Sequence, residues 1–332
     1  MSSLAKIPVS ELVAAVTPEQ QEKIKKASDN LNEWNELFKK YPHNTRRAYM
    51  SDIADYQVFC QRKGLPWLST DFDASKEVYK AYIDELIASE LKRATIERRI
   101  STLSVLYGVV ELPNPIKTSK MLSEYVRLSL RDKPKAQKQA EPMRIDDLEA
   151  INRDFAINSL KDLRDLMVLN FAFAALLRGS ELAEVEHKHI SVRDNTLFIP
   201  KRKNDQDGQG GYSYLSDECL ELYQRWCKES GQRSGKLFRA IRKGDNVTDS
   251  SLEYRGIYNI FKSVYLRCGL DPSNISTHSG RVGSAVSMAE AGISGFEIQM
   301  SGGWSDSKMV ARYSQQANMR NAGIAKLMKG RK

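Results

Sequence analysis

The chain has 332 residues and a formal net charge of +9, with 51 Lys and Arg against 42 Asp and Glu. That length allows two domains, each with its own core. The positive charge favours a polyanionic partner, although a merely basic surface would give the same value. The four cysteines lack CxxC pairing and the spacing of metal ligands, which argues against a zinc site and against disulfides. This cysteine usage fits a reduced, intracellular setting. Without a signal sequence or a run of about 18 apolar residues, we expect a cytoplasmic protein with no membrane anchor.

The first 130 residues predict a polar arm followed by a helical bundle. Residues 1–40 are polar and partly helical, and we expect a mobile arm there. Apolar stripes at helical spacing predict bundle helices that begin near 43, 75, 95 and 121. Proline and lysine with few apolar residues make 131–142 an interdomain linker. The predicted domains are therefore 41–130 and 143–332.

Some side chains of the bundle fall outside these stripes. They are Arg46, Arg47 and Met50 on the first bundle helix, and Arg93, Arg98 and Arg99 near the start of the third. A solvated face is the simpler interpretation of such charge runs. If the polyanionic partner is a nucleic acid, the same residues become candidates for lying along a groove.

The second domain is predicted to be mainly helical with one small antiparallel sheet. Residues 161–177 are apolar on nearly every face, which predicts a central buried helix. Residues 190–200 alternate as two strands, and a third is expected at 212–215. Further helices are predicted over 216–229, 250–266, 281–291 and 294–300, with Ser180 and Ser305 as caps of two more.

Three local patterns could suggest a bound ligand, and none of them meets the requirements of such a site. The glycine-rich run 204–211 and the Gly231–Gly235 segment lack the order and spacing of a phosphate loop. His187 and His189 form a His-x-His pair with no neighbouring cysteine or third ligand. We expect neither a metal nor a cofactor.

A set of polar residues occurs in a recognisable order along the second domain. The set is Arg178 and Glu181 as Arg-x-x-Glu, Lys203 in a basic run, His278 and Arg281 in HSGRVGSA, and Trp304 and Tyr313 in GGWSDSKMVARY. This order resembles the catalytic domain of the tyrosine recombinases (integrase family), and the last two motifs look most like its Cre-like branch. The resemblance covers about 145–330 strongly and the bundle only in pattern. It implies a C-shaped clamp of two domains around duplex DNA.

The resemblance implies a metal- and ATP-independent reaction at a phosphodiester. Arg178 and Arg281 would stabilise charge on the non-bridging oxygens. Tyr313 would attack to form a 3′-phosphotyrosyl bond, and Lys203 would protonate the leaving 5′ oxygen. The glycine-rich loop after Lys203 departs from the family, so Lys201 is the alternative position for this lysine.

The remaining members of the set would support that chemistry. By resemblance, His278 would assist proton transfer at the phenol, Trp304 would donate its N–H to the phosphate, and Glu181 would brace the arginines. The helix of 250–266 corresponds to one that reads a major groove. Arg255 is thus a candidate base reader, because a guanidinium can bond O6 and N7 of guanine together. Tyr258 on that helix and Lys201 are further candidates for DNA contact.

The tail carries Ile324, Leu327 and Met328 at the spacing of a helix that docks onto a partner. We therefore expect a homotetramer on synapsed DNA, joined through the C-terminal helix. Its target would have inverted-repeat arms and a short spacer, recombined through a Holliday junction, with a bacterial, phage or plasmid gene as the source. A phage integrase, a type IB topoisomerase and a non-catalytic site-specific DNA-binding protein remain alternatives.

Overall fold

The computed structural model describes residues 17–134, 140–202, 208–320 and 327–328. The chain forms two compact units, the first up to residue 138 and the second from residue 139. Among the described residues, none of the helices combines the length and the apolar content that crossing a bilayer requires.

The described part of the first unit is a helical bundle. Its helices are α1 (Pro18–Phe38), α2 (His43–Lys63), α3 (Phe72–Ala88), α4 (Arg93–Val109), α5 (Pro115–Thr118) and α6 (Lys120–Ser129). The core lies between α2, α3 and α4, where Tyr56, Tyr79, Tyr82 and Tyr107 are almost completely buried. Gly64, in the left-handed conformation at φ 66°, ends α2 as its position in the sequence predicted.

The first helix belongs to this core and is not a separate arm. Its residues Ala27, Leu31, Trp34 and Phe38 are buried, and Trp34 packs on Phe38 with ring centroids 5.1 Å apart. The expectation of a mobile arm over 1–40 is therefore wrong for α1; residues 1–16 lie outside the described part. The four apolar residues recur every three or four positions, and that narrow stripe is enough to attach an otherwise polar helix.

The second unit is mainly helical with two small antiparallel sheets, in agreement with the predicted fold class. Its helices are α7 (Ile145–Asp154), α8 (Leu160–Ala174), α9 (Gly179–Glu184), α10 (Asp217–Ser230), α11 (Tyr254–Arg267), α12 (Ser279–Glu290), α13 (Gly295–Gly302) and α14 (Ser307–Arg320). Helix α8 runs through the centre, and every residue from Asp162 to Ala172 is buried. The predicted central helix is confirmed.

The first sheet has the predicted strands in the order β1 (Ile190–Ser191), β2 (Thr196–Ile199) and β3 (Gly211–Tyr214). Leu197 of β2 pairs with Ser213 of β3, and both are buried. The second sheet, β4 (Arg239–Arg242) with β5 (Asn246–Ser251), was not predicted. Its strands are too polar to show an apolar alternation, and the Arg239 carbonyl is held by the buried Arg164 guanidinium at 2.8 Å.

Candidate active site

The end of the central helix places an arginine and a glutamate together. Leu176 takes a positive φ of 50°, which turns the chain out of α8 and into α9. Arg178 then precedes α9, and the Glu181 carboxylate accepts both its backbone N–H (2.9 Å) and its guanidinium (2.6 Å). The N-cap residue of α9 is Arg178 and Ser180 lies inside the helix, so Ser180 is not the cap that the sequence suggested.

Arg281, the arginine of the His-x-x-Arg motif, lies in the first turn of α12. Arg281 is buried, and its guanidinium donates to the carbonyls of Leu176 (2.5 Å) and Gly302 (2.8 Å). Burial and, to a smaller extent, the charge of Arg178 lower the pKa of Arg281 to about 10, although the charge of Glu181 acts in the opposite direction. The group remains a cation near neutral pH, with its donors held inside the protein.

The tryptophan lies between this arginine and the tyrosine. The Arg281 guanidinium carbon is 4.2 Å from the centre of the Trp304 ring, and the rings of Trp304 and Tyr313 are 5.8 Å apart. Trp304 packs in a small core with Leu176 and Val310, and half-buried Tyr313 lies against that core. Helix α14 therefore presents the tyrosine beside the indole and close to the buried arginine.

The backbone geometry at the end of α13 explains why two glycines precede Trp304. Gly303 is left-handed at φ 60°, and the N–H groups of Gly303 and Trp304 return to the carbonyls of Met300 and Gln299, which ends α13. A Cβ on Gly302 would lie 1.9 Å from the Trp304 ring. The two glycines allow the helix to stop and the indole to fold back under it.

The cluster includes a further arginine, Arg202, which was not predicted from the sequence. Arg202 is buried, and its guanidinium donates to the Gly302 carbonyl at 2.8 Å, the same oxygen that accepts from Arg281. The alternation of side chains along an extended segment could have indicated that Arg202 is buried. Lys201 is exposed, and the next side chain of an extended chain points the other way.

Two further members of the predicted set are His278 and Lys203. Exposed His278 immediately precedes α12, three residues before Arg281, which places both at the same end of that helix. Lys203 lies in the segment 203–207, outside the described residues. Its alternative, Lys201, is exposed on the rim of a cleft of about 600 Å³ that also includes Glu181 and Arg202.

The start of α14 differs in detail from the prediction. The helix begins at Ser307, and the Asp306 carboxylate accepts the Lys308 N–H at 2.8 Å. Asp306, and not Ser305, therefore caps the helix that carries Tyr313. In the tail, Leu327 and Met328 are exposed, and Ile324 lies outside the described residues.

The candidate base reader lies on the open face of α11. Arg255 is exposed, with its guanidinium 5.2 Å from the centre of the Tyr258 ring. Lys262 lies over the same ring at 5.5 Å, and its ammonium is also bonded to the Ser273 carbonyl at 2.9 Å. Arg255 and Tyr258 thus form one aromatic and cationic surface on this helix.

Several predicted DNA contacts of the first unit have internal roles. Met50 packs against the bundle core, so it does not fall outside the apolar stripe of α2 as predicted. The Arg93 guanidinium bonds Glu97 (2.8 Å) and the Leu130 carbonyl at the end of α6 (2.9 Å). Arg47 is exposed and Arg46 is half-buried on the first turns of α2.

Arg98 and Arg99 are both held by carboxylates of α2. Arg98 donates to Asp52 at 2.6 Å, and Arg99 to Asp55 at 2.5 Å. Burial raises the pKa of the Asp52 carboxyl, while hydrogen bonds from Thr102 and the charge of Arg98 act in the opposite direction. Arg98 keeps 43% of its side chain exposed against 15% for Arg99, so Arg98 is the better placed to reach a phosphate.

The described residues contain no group of three or more His, Cys, Asp or Glu side chains arranged to hold a metal. They do contain a buried arginine, Arg281, which interacts electrostatically with Arg178, Arg202 and the Tyr313 phenol. Guanidinium groups remain charged and fork onto phosphate oxygens, and a tyrosine can act as the nucleophile. Such a site has the equipment for phosphoryl transfer to a tyrosine hydroxyl.

Comparison with known families gives the same class. Residues 141–320 match the model of the phage integrase family, and residues 31–110 match its N-terminal SAM-like domain. The chain belongs to the phage integrase family and is a tyrosine recombinase. Members of this family break and rejoin DNA.

Similar sequences support that assignment. An integrase/recombinase XerD homologue from Selenomonas ruminantium is 28% identical over 294 residues, covering 85% of this chain and 84% of the relative. The Cre recombinase of Escherichia phage P1 is 27% identical over 308 residues, covering 87% of this chain and 88% of the relative.

Solved structures agree in fold. The Tn1549 transposon integrase in complex with transposon right end DNA superposes with a TM-score of 0.63 at 14% identity, over 89% of this chain and 98% of that one. The XerH site-specific recombinase bound to palindromic difH substrate superposes with a TM-score of 0.61 at 13% identity, over 97% of this chain and 92% of that one. At these identities the likeness concerns the fold alone.

Proposed function

We propose that this protein is a site-specific DNA recombinase that cleaves and rejoins duplex DNA through a 3′-phosphotyrosyl intermediate. The observation that carries the proposal is the grouping of Arg281, Trp304 and Tyr313, with the charge of Arg178 acting on Arg281. The family assignment supplies the class of substrate, and the relatives in complex with DNA support a DNA partner.

The arginines would bind the scissile phosphate. Arg178 and Arg281 carry fixed donors, and Arg281 is already anchored by two carbonyls and the Trp304 ring. Such donors need little reorganisation as charge develops on the non-bridging oxygens, which lowers the barrier. Glu181 would keep the Arg178 guanidinium in one orientation and balance its charge.

Tyr313 would be the nucleophile. Its oxygen attacks phosphorus, the bond to the 5′ oxygen breaks, and the new phosphotyrosyl ester keeps the linkage ready for rejoining. His278 would receive the phenolic proton, Lys203 would protonate the leaving oxygen, and the Trp304 N–H would bond the phosphate. These three roles rest on the family resemblance.

The proposed target has inverted-repeat arms and a short spacer, on which two strand exchanges pass through a Holliday junction. Four copies would assemble on two such sites, each giving its C-terminal tail to a neighbour. Exposed Leu327 and Met328 support this part, because apolar side chains on an isolated tail gain stability when a partner covers them.

The test uses DNA selected by binding from a random pool and then nicked to make a suicide substrate. Wild-type protein should form an adduct that survives SDS. Tyr313→Phe should bind the same DNA equally and form no adduct, because only the nucleophilic oxygen is lost. Binding without an adduct from the wild type would favour a DNA-binding protein without catalysis, and an adduct from Tyr313→Phe would exclude Tyr313 as the nucleophile.

A second measurement separates recombination from topoisomerase activity. The protein should recombine two selected sites and leave supercoiled plasmid without a site unrelaxed. Rapid relaxation of the site-free plasmid would indicate a type IB topoisomerase.

A further inference from the structure

Arg202 is a buried arginine for which the proposed strand transfer has no role. Only 8% of the residue is exposed, yet its guanidinium reaches two separate elements. On β3 it donates to the Tyr212 carbonyl at 3.3 Å and to the Ser213 hydroxyl at 2.8 Å. At the end of α13 it donates to the Gly302 carbonyl at 2.8 Å. One side chain thus joins the first sheet to the Gly-Gly-Trp turn.

The surrounding backbone leaves space for this side chain. A Cβ on Gly303 would lie 2.1 Å from one Arg202 nitrogen, and a Cβ on Gly211 would lie 3.2 Å from another. Glycines on both sides therefore allow the guanidinium to enter between β3 and α13. Because a buried cation is costly without bonded partners, its three acceptors and these two glycines form a built site.

The Gly302 carbonyl connects Arg202 to the proposed chemistry. Arg281 donates to the same oxygen at 2.8 Å, so two guanidinium groups occupy one carbonyl. Among the described residues, neither arginine has a carboxylate within ion-pair distance. Loss of Arg202 would free that carbonyl on one side and allow it to shift relative to Arg281. Trp304, two residues after Gly302, would shift with it.

We propose that Arg202 is a positioning residue for DNA strand cleavage: it fixes the Gly302 carbonyl from the sheet side and so holds Arg281 and Trp304 where the scissile phosphate binds. The inference rests on the proposed function. It predicts that Arg202 affects the cleavage step more than the affinity for DNA, because the DNA does not need to touch it.

The experiment compares Arg202→Gln with Arg239→Gln. Arg239 is a matched control with the same 8% exposure, bonds to the Lys236 and Ser234 carbonyls, and an ion pair with Asp249. It has no bond to the Gly-Gly-Trp turn among its described contacts. Single-turnover cleavage of the suicide substrate at saturating protein, half-site affinity and the melting temperature are measured for both variants.

Arg202→Gln should slow cleavage about tenfold or more while half-site affinity stays within about threefold, the pattern of a lost transition-state interaction. Arg239→Gln should lower the melting temperature and leave the cleavage rate of the folded protein unchanged. In a double-mutant cycle, Arg202→Gln should cost much less in an Arg281→Lys background, because both act through one carbonyl. Additive losses would contradict the proposed route.

Two results would overturn the inference. One is cleavage by Arg202→Gln at the wild-type rate, and the other is an equal loss of cleavage in both arginine variants. If Arg202→Gln does not fold, Ser213→Ala provides the test, since it removes one partner of Arg202; about two- to fivefold slower cleavage is expected, and an unchanged rate would reject the role. Absence of an adduct from wild-type protein would instead count against the proposed function.

Discussion

The rings of Trp304 and Tyr313 are 5.8 Å apart, at an angle of 47°. The indole also supports Arg281 at 4.2 Å, so it contacts both the proposed nucleophile and a proposed phosphate-binding group. A displacement of Trp304 would therefore disturb both at once. The position of the indole depends in turn on the absence of a side chain at Gly302.

Gly302→Ala tests that dependence. The new Cβ would lie 1.9 Å from the Trp304 ring, and either the indole or the end of α13 must move. We expect the free energy of unfolding to fall by about 1–3 kcal/mol, as for other overpacked sites. Cleavage of the suicide substrate should fall at least about tenfold, more than half-site affinity does.

Gly295→Ala is the matched control for this change. Gly295 lies at the start of the same helix, and a Cβ there would meet no atom within 4 Å. Alanine is the better helix former, so the unfolding free energy should be unchanged or higher by up to about 1 kcal/mol. Equal activity of the two alanine variants would show that Gly302 does not position the indole.

The residues of the candidate site could be proposed from the sequence because they fall in short motifs that resemble those of a known family. The central helix α8 followed from a run of residues that is apolar on nearly every face, and the strands β1 to β3 followed from alternating apolar residues. Arg202 could not be assigned a role, because it depends on a contact with Gly302 that is 100 residues away. The internal ion pairs of Arg98 and Arg99 were missed for the same reason: pairing across α2 and α4 is a tertiary property.

The role of Lys203 is tested with a modified leaving group. Lys203→Ala should slow cleavage of ordinary DNA, because the leaving 5′ oxygen then lacks its proton donor. A 5′-bridging phosphorothiolate needs no such proton, so the variant should cleave it at close to the wild-type rate. Lys201→Ala serves as the control and should show no selective rescue. Rescue of Lys201→Ala alone would show that Lys201, and not Lys203, is the general acid.

Arg255→Ala tests base recognition by α11. Arg255 is exposed, and a bidentate contact with guanine would be lost without harm to the core. We expect a cost of about 1–3 kcal/mol at one base pair, with relaxed preference at that position. Binding is measured on a library of single-base variants of the selected site. A uniform loss across the library would make Arg255 a phosphate contact.

Arg98→Ala should give the opposite pattern. It should weaken binding to all sequences alike and lower the slope of affinity against salt by about one. The variant also leaves buried Asp52 with one hydrogen-bond donor fewer, so its melting temperature must be measured alongside. Arg93→Ala is the control, because its guanidinium is bonded to Glu97 and the Leu130 carbonyl and should not change the salt slope. A change at one base pair only would contradict the assignment of Arg98.

The tail after α14 is predicted to join neighbouring subunits. Leu327 and Met328 are 58% and 61% exposed, so the described part of their own domain does not cover them. Ending the chain at Arg320 keeps α14 and Tyr313 intact. If a neighbouring copy covers the tail, the shortened protein should bind one half-site normally but lose cooperative binding to a two-arm site, synapsis and recombination. Lys326→Ala in the full-length chain is the control and should retain all of these. Equal cooperativity of shortened and full-length protein in a gel shift would show that the subunits are joined elsewhere.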